Sequence, residues 1–314
     1  MSHTTAACAV DSHPQAAGNL KSGALMMKTF LVTAAAGDTG AATVKFLRES
    51  GQKVRALVRR DDERAEQLRA LGAEVVVADM LKLKQVRAAL DGVSAAYLCY
   101  PLADGLVEAT AIFAQAAKEA HLELIVNMSQ KQSRSNATSQ QTLNHWMAEQ
   151  VLNWSGVPTT HLRVTLFAEW LLYTSHLIRE GRYVTPFGAD SRFAPIAASD
   201  IARVIAAILL NPEPHIGKVY PLHGPREHSH LDISELLASV LDKPIRFEQV
   251  EVDEFLSLLG APDNPTLRSH FTAIRQDQQE GLLAGLDDFG REIIGQPLMT
   301  LPEFIERHRG QLGG

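Results

Sequence analysis

Thr29-Phe30-Leu31-Val32-Thr33-Ala34-Ala35-Ala36-Gly37-Asp38-Thr39-Gly40 is the stretch whose reading decides the fold. A short apolar run leads directly into small residues and two glycines, and Ala41–Ser50 continues at once with helical spacing. In a strand–turn–helix of this kind, Gly37 offers bare backbone at the turn and Gly40 lets helix and strand approach closely. The first turn of the helix then aims its N–H groups and the positive end of its dipole at one point. Such a turn is built to receive a pyrophosphate. Ala34 stands where the dinucleotide fingerprint usually has its first glycine, and its Cβ is tolerable only if φ is negative, so negative φ is expected there.

Outward from this turn, apolar runs at Thr29–Thr33, Val54–Val58, Glu74–Ala78, Ala95–Cys99 and Leu124–Met128 alternate with helical stretches. Ala65, Leu68 and Leu71 recur at i+3, and Leu83, Val86 and Leu90 at i+3 and i+4, each set giving one apolar stripe. This rhythm predicts βαβ units and a parallel sheet. A fifth helix over Ser139–Ser155 and a sixth strand over Thr159–Val164 extend it. The expected class is α/β, a Rossmann-type doubly wound parallel sheet with a smaller C-terminal α/β lobe. Residues 1–27 are expected as a disordered tail, 28–165 as the dinucleotide-binding domain, and 166–314 as a substrate lobe interleaved with the sheet in one compact unit. In the lobe, Ile201, Val204, Ile205 and Ile208 predict a helix begun by Ser199 or Asp200. Asp232 with Glu235 is read as a capping box opening Ile233–Leu241, and Thr300 with Glu303 as one opening the last helix.

Bulk properties narrow the function classes. A net charge of −6 over 314 residues, with no basic cluster, excludes a dominant nucleic-acid footprint. Two cysteines, Cys8 and Cys99, give no disulfide framework and fit a reducing, cytoplasmic setting. No apolar run reaches the ~18–20 residues that span a bilayer, so no membrane partner is expected. His223, His228 and His230 lack a coherent metal-ligand spacing, and no metal site is expected. The oligomeric state is left open, a homo-oligomer included.

The second strand runs into Val58-Arg59-Arg60-Asp61-Asp62, where a Rossmann sheet discriminates between cofactors. An acid there binds a ribose 2′-hydroxyl, whereas an arginine accepts a 2′-phosphate. Arg59 comes first, and Asp61 and Asp62 suit the N-terminus of the next helix. NADPH is therefore the expected cofactor, with NADH possible and weaker. Thr33, Ala35, Gly37, Asp38, Thr39, Gly40 and Arg59 are the residues expected to hold it.

With these residues in view, the chain resembles the NmrA-like group of atypical short-chain dehydrogenases/reductases from Lys28 to Arg309. The carriers are the Thr33–Gly40 turn, ALVRR at Ala56–Arg60, VADM at Val77–Met80 and SGVPTTHLRVTLFAEWLL at Ser155–Leu172. To these are added SDIARVIAAIL at Ser199–Leu209, GKVYPLHGP at Gly217–Pro225 and LPEFIERH at Leu301–His308. The resemblance implies that Asp79 and Met80 lie beside adenine, that Tyr100 and Pro101 border the cofactor, and that Asn127, Met128 and Ser129 flank nicotinamide.

Typical short-chain dehydrogenases carry Tyr-x-x-x-Lys on the fifth helix to protonate a carbonyl oxygen. The corresponding segment here resembles His145-Trp146-Met147-Ala148-Glu149, in which His145 and Glu149 share a face at i, i+4 and can couple. His145 and Tyr100 are the candidate proton donors. Without the Tyr/Lys pair, an alcohol dehydrogenase is disfavoured. A quinone or azo acceptor is favoured, because hydride addition gives it a delocalised anion that solvent can protonate. The resembled family includes quinone, triphenylmethane-dye and flavin-independent azo reductases. Phe167, Trp170, Tyr173, Tyr183 and Phe187 are the candidate floor for such a small aromatic substrate. The expectation is a flavin-free, NADPH-dependent reductase of azo dyes or quinones. The alternative is a dinucleotide-binding redox sensor without turnover.

Overall fold

The computed structural model describes residues 27–314; the expectations for the N-terminal tail and Cys8 fall outside these residues, apart from exposed Met27. The first half runs β1 (Thr29–Val32), α1 (Asp38–Glu49), β2 (Lys53–Val58), α2 (Glu63–Ala70), β3 (Glu74–Val77), α3 (Leu83–Leu90), β4 (Ala95–Leu98), α4 (Leu106–Glu119), β5 (Leu124–Gln130), α5 (Gln140–Ser155) and β6 (Thr159–Val164). The second half begins α6 (Trp170–Tyr173), α7 (Ser175–Arg179), β7 (Arg182–Thr185), β8 (Arg192–Phe193), α8 (Ala198–Leu210), β9 (Val219–Leu222) and β10 (His228–Ser229). It ends α9 (His230–Leu241), β11 (Arg246–Gln249), α10 (Val252–Leu258), α11 (Pro265–Gln279), α12 (Phe289–Ile294), α13 (Leu301–Arg307) and α14 (Arg309–Leu312).

The main sheet has seven strands in the order β3-β2-β1-β4-β5-β6-β9. Every neighbouring pair is parallel. Alternation along β1 shows why both faces must be covered. Phe30 and Val32 join a core with Val44 and Leu47 of α1 and Ile201 and Ile205 of α8, while Leu31 joins Val86, Leu90, Phe113 and Leu152 on the other face. The reversal of strand order between β1 and β4 opens the crevice in which doubly wound folds bind ligands. A third core, around Ile178, Leu237, Leu256 and Ile305, belongs to the lobe. The lobe also carries a parallel pair β7–β11 and an antiparallel pair β8–β10.

Local chemistry sets most boundaries. Ser139 caps α5 by accepting from Thr142 N–H at 3.2 Å, and Gly156 ends that helix at φ +74°. Thr300 and Glu303 form the expected capping box of α13, though a further short helix, α14, follows. Two start signals were misplaced. The box of α9 is Ser229 with Asp232, three residues upstream of the expected one, so Asp232 acts as the reaching-back residue rather than the cap. α8 begins at Ala198 with no local side-chain cap; Glu169 reaches in from the chain before α6 and accepts Ala198 N–H at 2.9 Å. Asp200 instead lies in the first turn and accepts Met299 N–H at 2.6 Å.

Ala34 departs from expectation more consequentially, with φ at +46° rather than negative. Its carbonyl accepts Gly37 N–H at 2.9 Å, and the flanking Ala35 N–H bonds Leu57 at 3.2 Å. Tertiary bonds thus hold a left-handed turn that a glycine would adopt without strain.

Candidate active site

At the carboxyl ends of β1, β4, β5 and β6 lies one continuous cleft of about 490 Å³. Its outer end is the turn: Ala34, Gly37, Asp38 and Thr39 line it. α1 starts at Asp38 with Gly37 as an N-cap that supplies no side chain. The first intrahelical bond is Ala41 N–H to Gly37, so the N–H groups of Asp38, Thr39 and Gly40 have no acceptor among the described residues. Three uncapped donors at the positive end of a helix dipole are a fit for a pyrophosphate. Thr39 is steadied by a 2.9 Å bond to buried Tyr97.

Thr33, Ala35 and Gly40 sit beneath this surface rather than on it. Thr33 is buried and clamps the end of β4, its hydroxyl donating to Cys99 carbonyl at 2.9 Å and accepting Cys99 N–H at 2.8 Å. Ala35 is fully buried and Gly40 is the close-packing point. Arg59 and Arg60 follow β2, exposed, with no salt bridge to any described residue. The acids after them are engaged: Asp61 pairs with Arg69 at 2.8 Å, and Asp62 caps α2 and pairs with Arg64 at 2.7 Å. An unpaired arginine, with both acids tied down, leaves a positive group at the discriminating position.

Asp79 is exposed after β3, where its carboxylate accepts Leu81 N–H at 2.9 Å, whereas Met80 is buried in the core beneath it. Tyr100, Pro101, Met128 and Ser129 line the cleft at the carboxyl ends of β4 and β5. Burial and nearby Asp79 raise the Tyr100 pKa, so it enters the cleft as a neutral phenol whose hydroxyl donates to Asp104 carbonyl at 3.2 Å. Asn127 does not line the cleft. It bonds His161 at 3.1 Å, and His161 bonds exposed Asn153 at 3.1 Å, a string that runs from the sheet to the surface and ties β5, β6 and α5.

The fifth helix presents the clearest departure from a coupled His–Glu pair. Glu149 is buried and bidentate to Arg163 at 3.0 and 2.6 Å, and it accepts the Ser129 hydroxyl at 2.6 Å. His145 lines the cleft without a hydrogen bond to any described residue. Burial, and secondarily the neighbouring His270, lower its pKa to about 3. The ring is therefore neutral near pH 7 and holds no readily available imidazolium proton.

All five expected aromatic residues line the cleft. Trp170 meets Tyr173 edge-on with centroids 5.3 Å apart and Phe271 at 5.5 Å. Tyr183 and Phe187 are buried in the inner wall, while half-exposed Tyr173 donates its hydroxyl to Asp38 across the outer end. Further wall residues come from the C-terminal helices: Phe255, His270, Phe271, Ile274 and Leu301. Sequence reasoning missed these because helical apolar spacing marks a buried stripe without telling core from cleft. Of the remaining histidines, His223, directly after β9, bonds Asp287. Among the described residues no cluster of His, Cys, Asp or Glu is arranged to hold a metal, and no helix is long and apolar enough to cross a membrane.

Comparison with known proteins agrees with this architecture. An NAD(P)H azoreductase of Xenophilus azovorans is 27% identical over 289 residues, covering 90% of this chain and 99% of the relative. A (4-alkanoyl-5-oxo-2,5-dihydrofuran-3-yl)methyl phosphate reductase of Streptomyces griseus is 28% identical over 281 residues, covering 88% and 97%. The solved NADPH complex of an Escherichia coli quinone oxidoreductase superposes with a TM-score of 0.77 at 22% identity, covering 88% of this chain and 99% of the other. The profile of the NmrA-like family matches residues 26–281, and the chain belongs to that family.

Proposed function

We propose that the protein is an NADPH-dependent reductase that passes hydride directly, without flavin, to a planar electrophilic aromatic acceptor such as a quinone or an azo dye. The observation that carries this reading is the continuity of the cleft: uncapped helix donors at one end and an aromatic-walled chamber at the other share one space. The names borne by the azoreductase and quinone oxidoreductase relatives support it.

A bound reduced nicotinamide supplies the hydride. The chain's own residues do the rest. Asp38, Thr39 and Gly40 N–H groups hold the pyrophosphate, and Arg59 meets the 2′-phosphate. Tyr100, Pro101, Met128 and Ser129 border the reacting ring, with Ser129 fixed by Glu149 and Arg163. Trp170, Phe187 and Phe271 confine the acceptor to a near-attack stack and exclude water. His145 stays neutral and offers a hydrogen bond rather than a charge, so the proton that completes reduction comes from solvent. This suits acceptors whose anions are already delocalised.

Purified protein is expected to oxidise NADPH with a quinone or a hydroxynaphthyl-azo dye, with no flavin present. A primary isotope effect from nicotinamide deuterated at C4 reports direct transfer. Turnover only after flavin addition sinks the direct mechanism, and tight NADPH binding without turnover on a broad acceptor panel favours the sensor reading. Arg59→Ala is expected to weaken NADPH about tenfold to a hundredfold, the scale of one hydrogen bond to a charged group, and NADH less than threefold. Titration of both cofactors checks this; an equal loss removes Arg59 as the discriminator.

A further inference from the structure

The inner wall of the cleft carries a string of polar groups to which hydride transfer assigns no role. The Tyr183 hydroxyl, on β7, lies 2.8 Å from Nδ1 of His230, and Nε2 of His230 lies 3.2 Å from Oε1 of Gln278 on α11. Tyr183 and His230 line the cleft, and Gln278 stands behind them with only 3% exposure. The three residues come from separate elements, so no local turn or cap accounts for them. His230 is packed against Phe193 and Phe187, with centroids 5.1 and 5.6 Å away. Burial lowers its pKa to about 4, so near pH 7 one ring nitrogen donates and the other accepts.

The string has a spare valence at each end. Gln278 Nε2 is buried with no partner among the described residues, and the phenol oxygen of Tyr183 has one partner and room for more. With Oε1 facing His230, Tyr183 donates to Nδ1, Nε2–H donates to Oε1, and the whole amino group of Gln278 is left without an acceptor. Turning the amide end over keeps every heavy-atom position. Gln278 then donates to Nε2, His230 donates from Nδ1 to the phenol oxygen, and the Tyr183 proton is released toward the cleft. A buried carbonyl short of a donor costs less than an amino group short of acceptors, which favours this order. The phenol is then a donor whose acceptor must come from the ligand.

The rest of the lining says what kind of acceptor. Among the described residues that line the cleft, no Lys or Arg appears, and the one acid, Asp38, sits at the outer end. His145 and His270, like His230, are held neutral by burial, with pKa values of about 3 and 4. An anionic group carried inward loses its water and meets no counter-charge, whereas a carbonyl oxygen needs only a donor. We propose that the inner chamber takes an uncharged planar aromatic compound and holds it by a carbonyl-type oxygen that accepts a hydrogen bond from Tyr183. This deepens the reductase reading by naming the acceptor class, and it makes Tyr183 a specificity-determining residue.

Equilibrium binding tests it without turnover. Calorimetric titrations use the full chain, alone and saturated with NADP⁺, against 2-acetylnaphthalene, 2-ethylnaphthalene and 2-naphthoate. The wild type is expected to bind the acetyl compound about tenfold tighter than the ethyl compound of similar shape, and at least tenfold tighter than the carboxylate. Tyr183→Phe is expected to erase the acetyl advantage while leaving 2-ethylnaphthalene within twofold. Gln278→Leu, which touches no ligand, is expected to reduce the advantage about threefold. Thermal melts confirm that both variants fold. The proposal is overturned if Tyr183→Phe keeps the preference, if it weakens both neutral probes equally, if the carboxylate binds as well as the ketone, or if no probe binds. Probe binding with the expected pattern but no NADPH oxidation on any acceptor overturns the reductase reading alone.

Discussion

Gly40→Val is expected to fail to fold, while Gly37→Val folds like the wild type and loses dinucleotide binding. A Cβ at Gly40 falls 2.3 Å from the Ala34 carbonyl oxygen and 2.8 Å from Ala35 Cα, both backbone atoms. Neither can retreat, because Ala34 already holds φ +46° under the bonds from Gly37 and from Ala35 to Leu57. The loss is several kcal/mol, against a total stability of typically about 5–15 kcal/mol. Gly37 differs in kind. Its φ of −91° and ψ of 173° suit any residue, and a Cβ would stand 3.3 Å from the Ala34 carbonyl oxygen, a tight contact that a shift of a few tenths of an ångström at Gly37 itself relieves. A valine there costs little stability beside the Gly40 change and narrows the approach to the uncapped donors of α1. Circular dichroism melts and NADPH titration of the two variants check the split, and unchanged NADPH affinity in Gly37→Val would move the phosphate site off this turn.

Acid is expected to destabilise the protein well above the pH at which ordinary exposed carboxylates protonate. His145, His230 and His270 have folded pKa values of about 3, 4 and 4, against 6.5 for an exposed ring, burial being the first cause in each case. As pH falls through about 6.5 the unfolded chain takes up three protons that the folded chain refuses. The stabilisation from keeping these rings neutral is therefore complete above pH 6.5 and declines below it. At about 1.4 kcal/mol per proton per pH unit, the three cost about 6 kcal/mol by pH 5. Glu169 works the other way. Burial raises its pKa to about 7, so the folded chain gains a proton early and offsets about two fifths of that loss, leaving about 3.5 kcal/mol. Urea unfolding at steps from pH 7.5 to 5 measures the slope, and His145→Leu is expected to remove about one proton from it. A flat profile over that range contradicts the burial of these rings.

The legible part of the molecule was the part governed by short-range rules. Short apolar runs set between helical stretches located β1 to β6, and Ser139 and Gly156 bounded α5 closely, because buried parallel strands and helix caps are local chemistry. Asp62 was legible as a helix N-terminal acid and caps α2, since helix N-termini draw acids wherever they occur, whereas Asp61 pairs with Arg69. What escaped was set by distant partners. Ala34 takes positive φ because Gly37 and Leu57 hold it there, which its own Cβ argues against. Asn127 was grouped with its neighbours in sequence, yet it sits deeper in β5, bonded to His161, while Met128 and Ser129, nearer the carboxyl end of the strand, line the cleft. Gly224 was legible only as part of the GKVYPLHGP segment, with nothing local to show that a Cβ there would fall 1.8 Å from the Pro195 carbonyl oxygen. The inner wall from Phe255 to Leu301 reads in sequence as ordinary amphipathic helix, and only the fold brings it opposite the turn.

The placement of β9 and α8 has a consequence for how the chain is made. β9 pairs in parallel with β6, and α8 covers Phe30 and Val32 beside α1, yet both follow β6 in sequence. A ribosome that has delivered residues up to Val164 has therefore released six strands in which β6 is an open edge, in addition to the β3 edge that the finished sheet keeps, with one half-bare face. Until Leu222 emerges, the β6 edge offers unpaired N–H and carbonyl groups, and the apolar side of β1 lacks its cover. At ~5–20 residues per second, that interval lasts seconds, long enough for chaperone capture or for edge-to-edge association between nascent chains. Synonymous codons that slow synthesis between Val164 and Leu222 are thus positioned to lower soluble yield without altering a single residue of the finished protein.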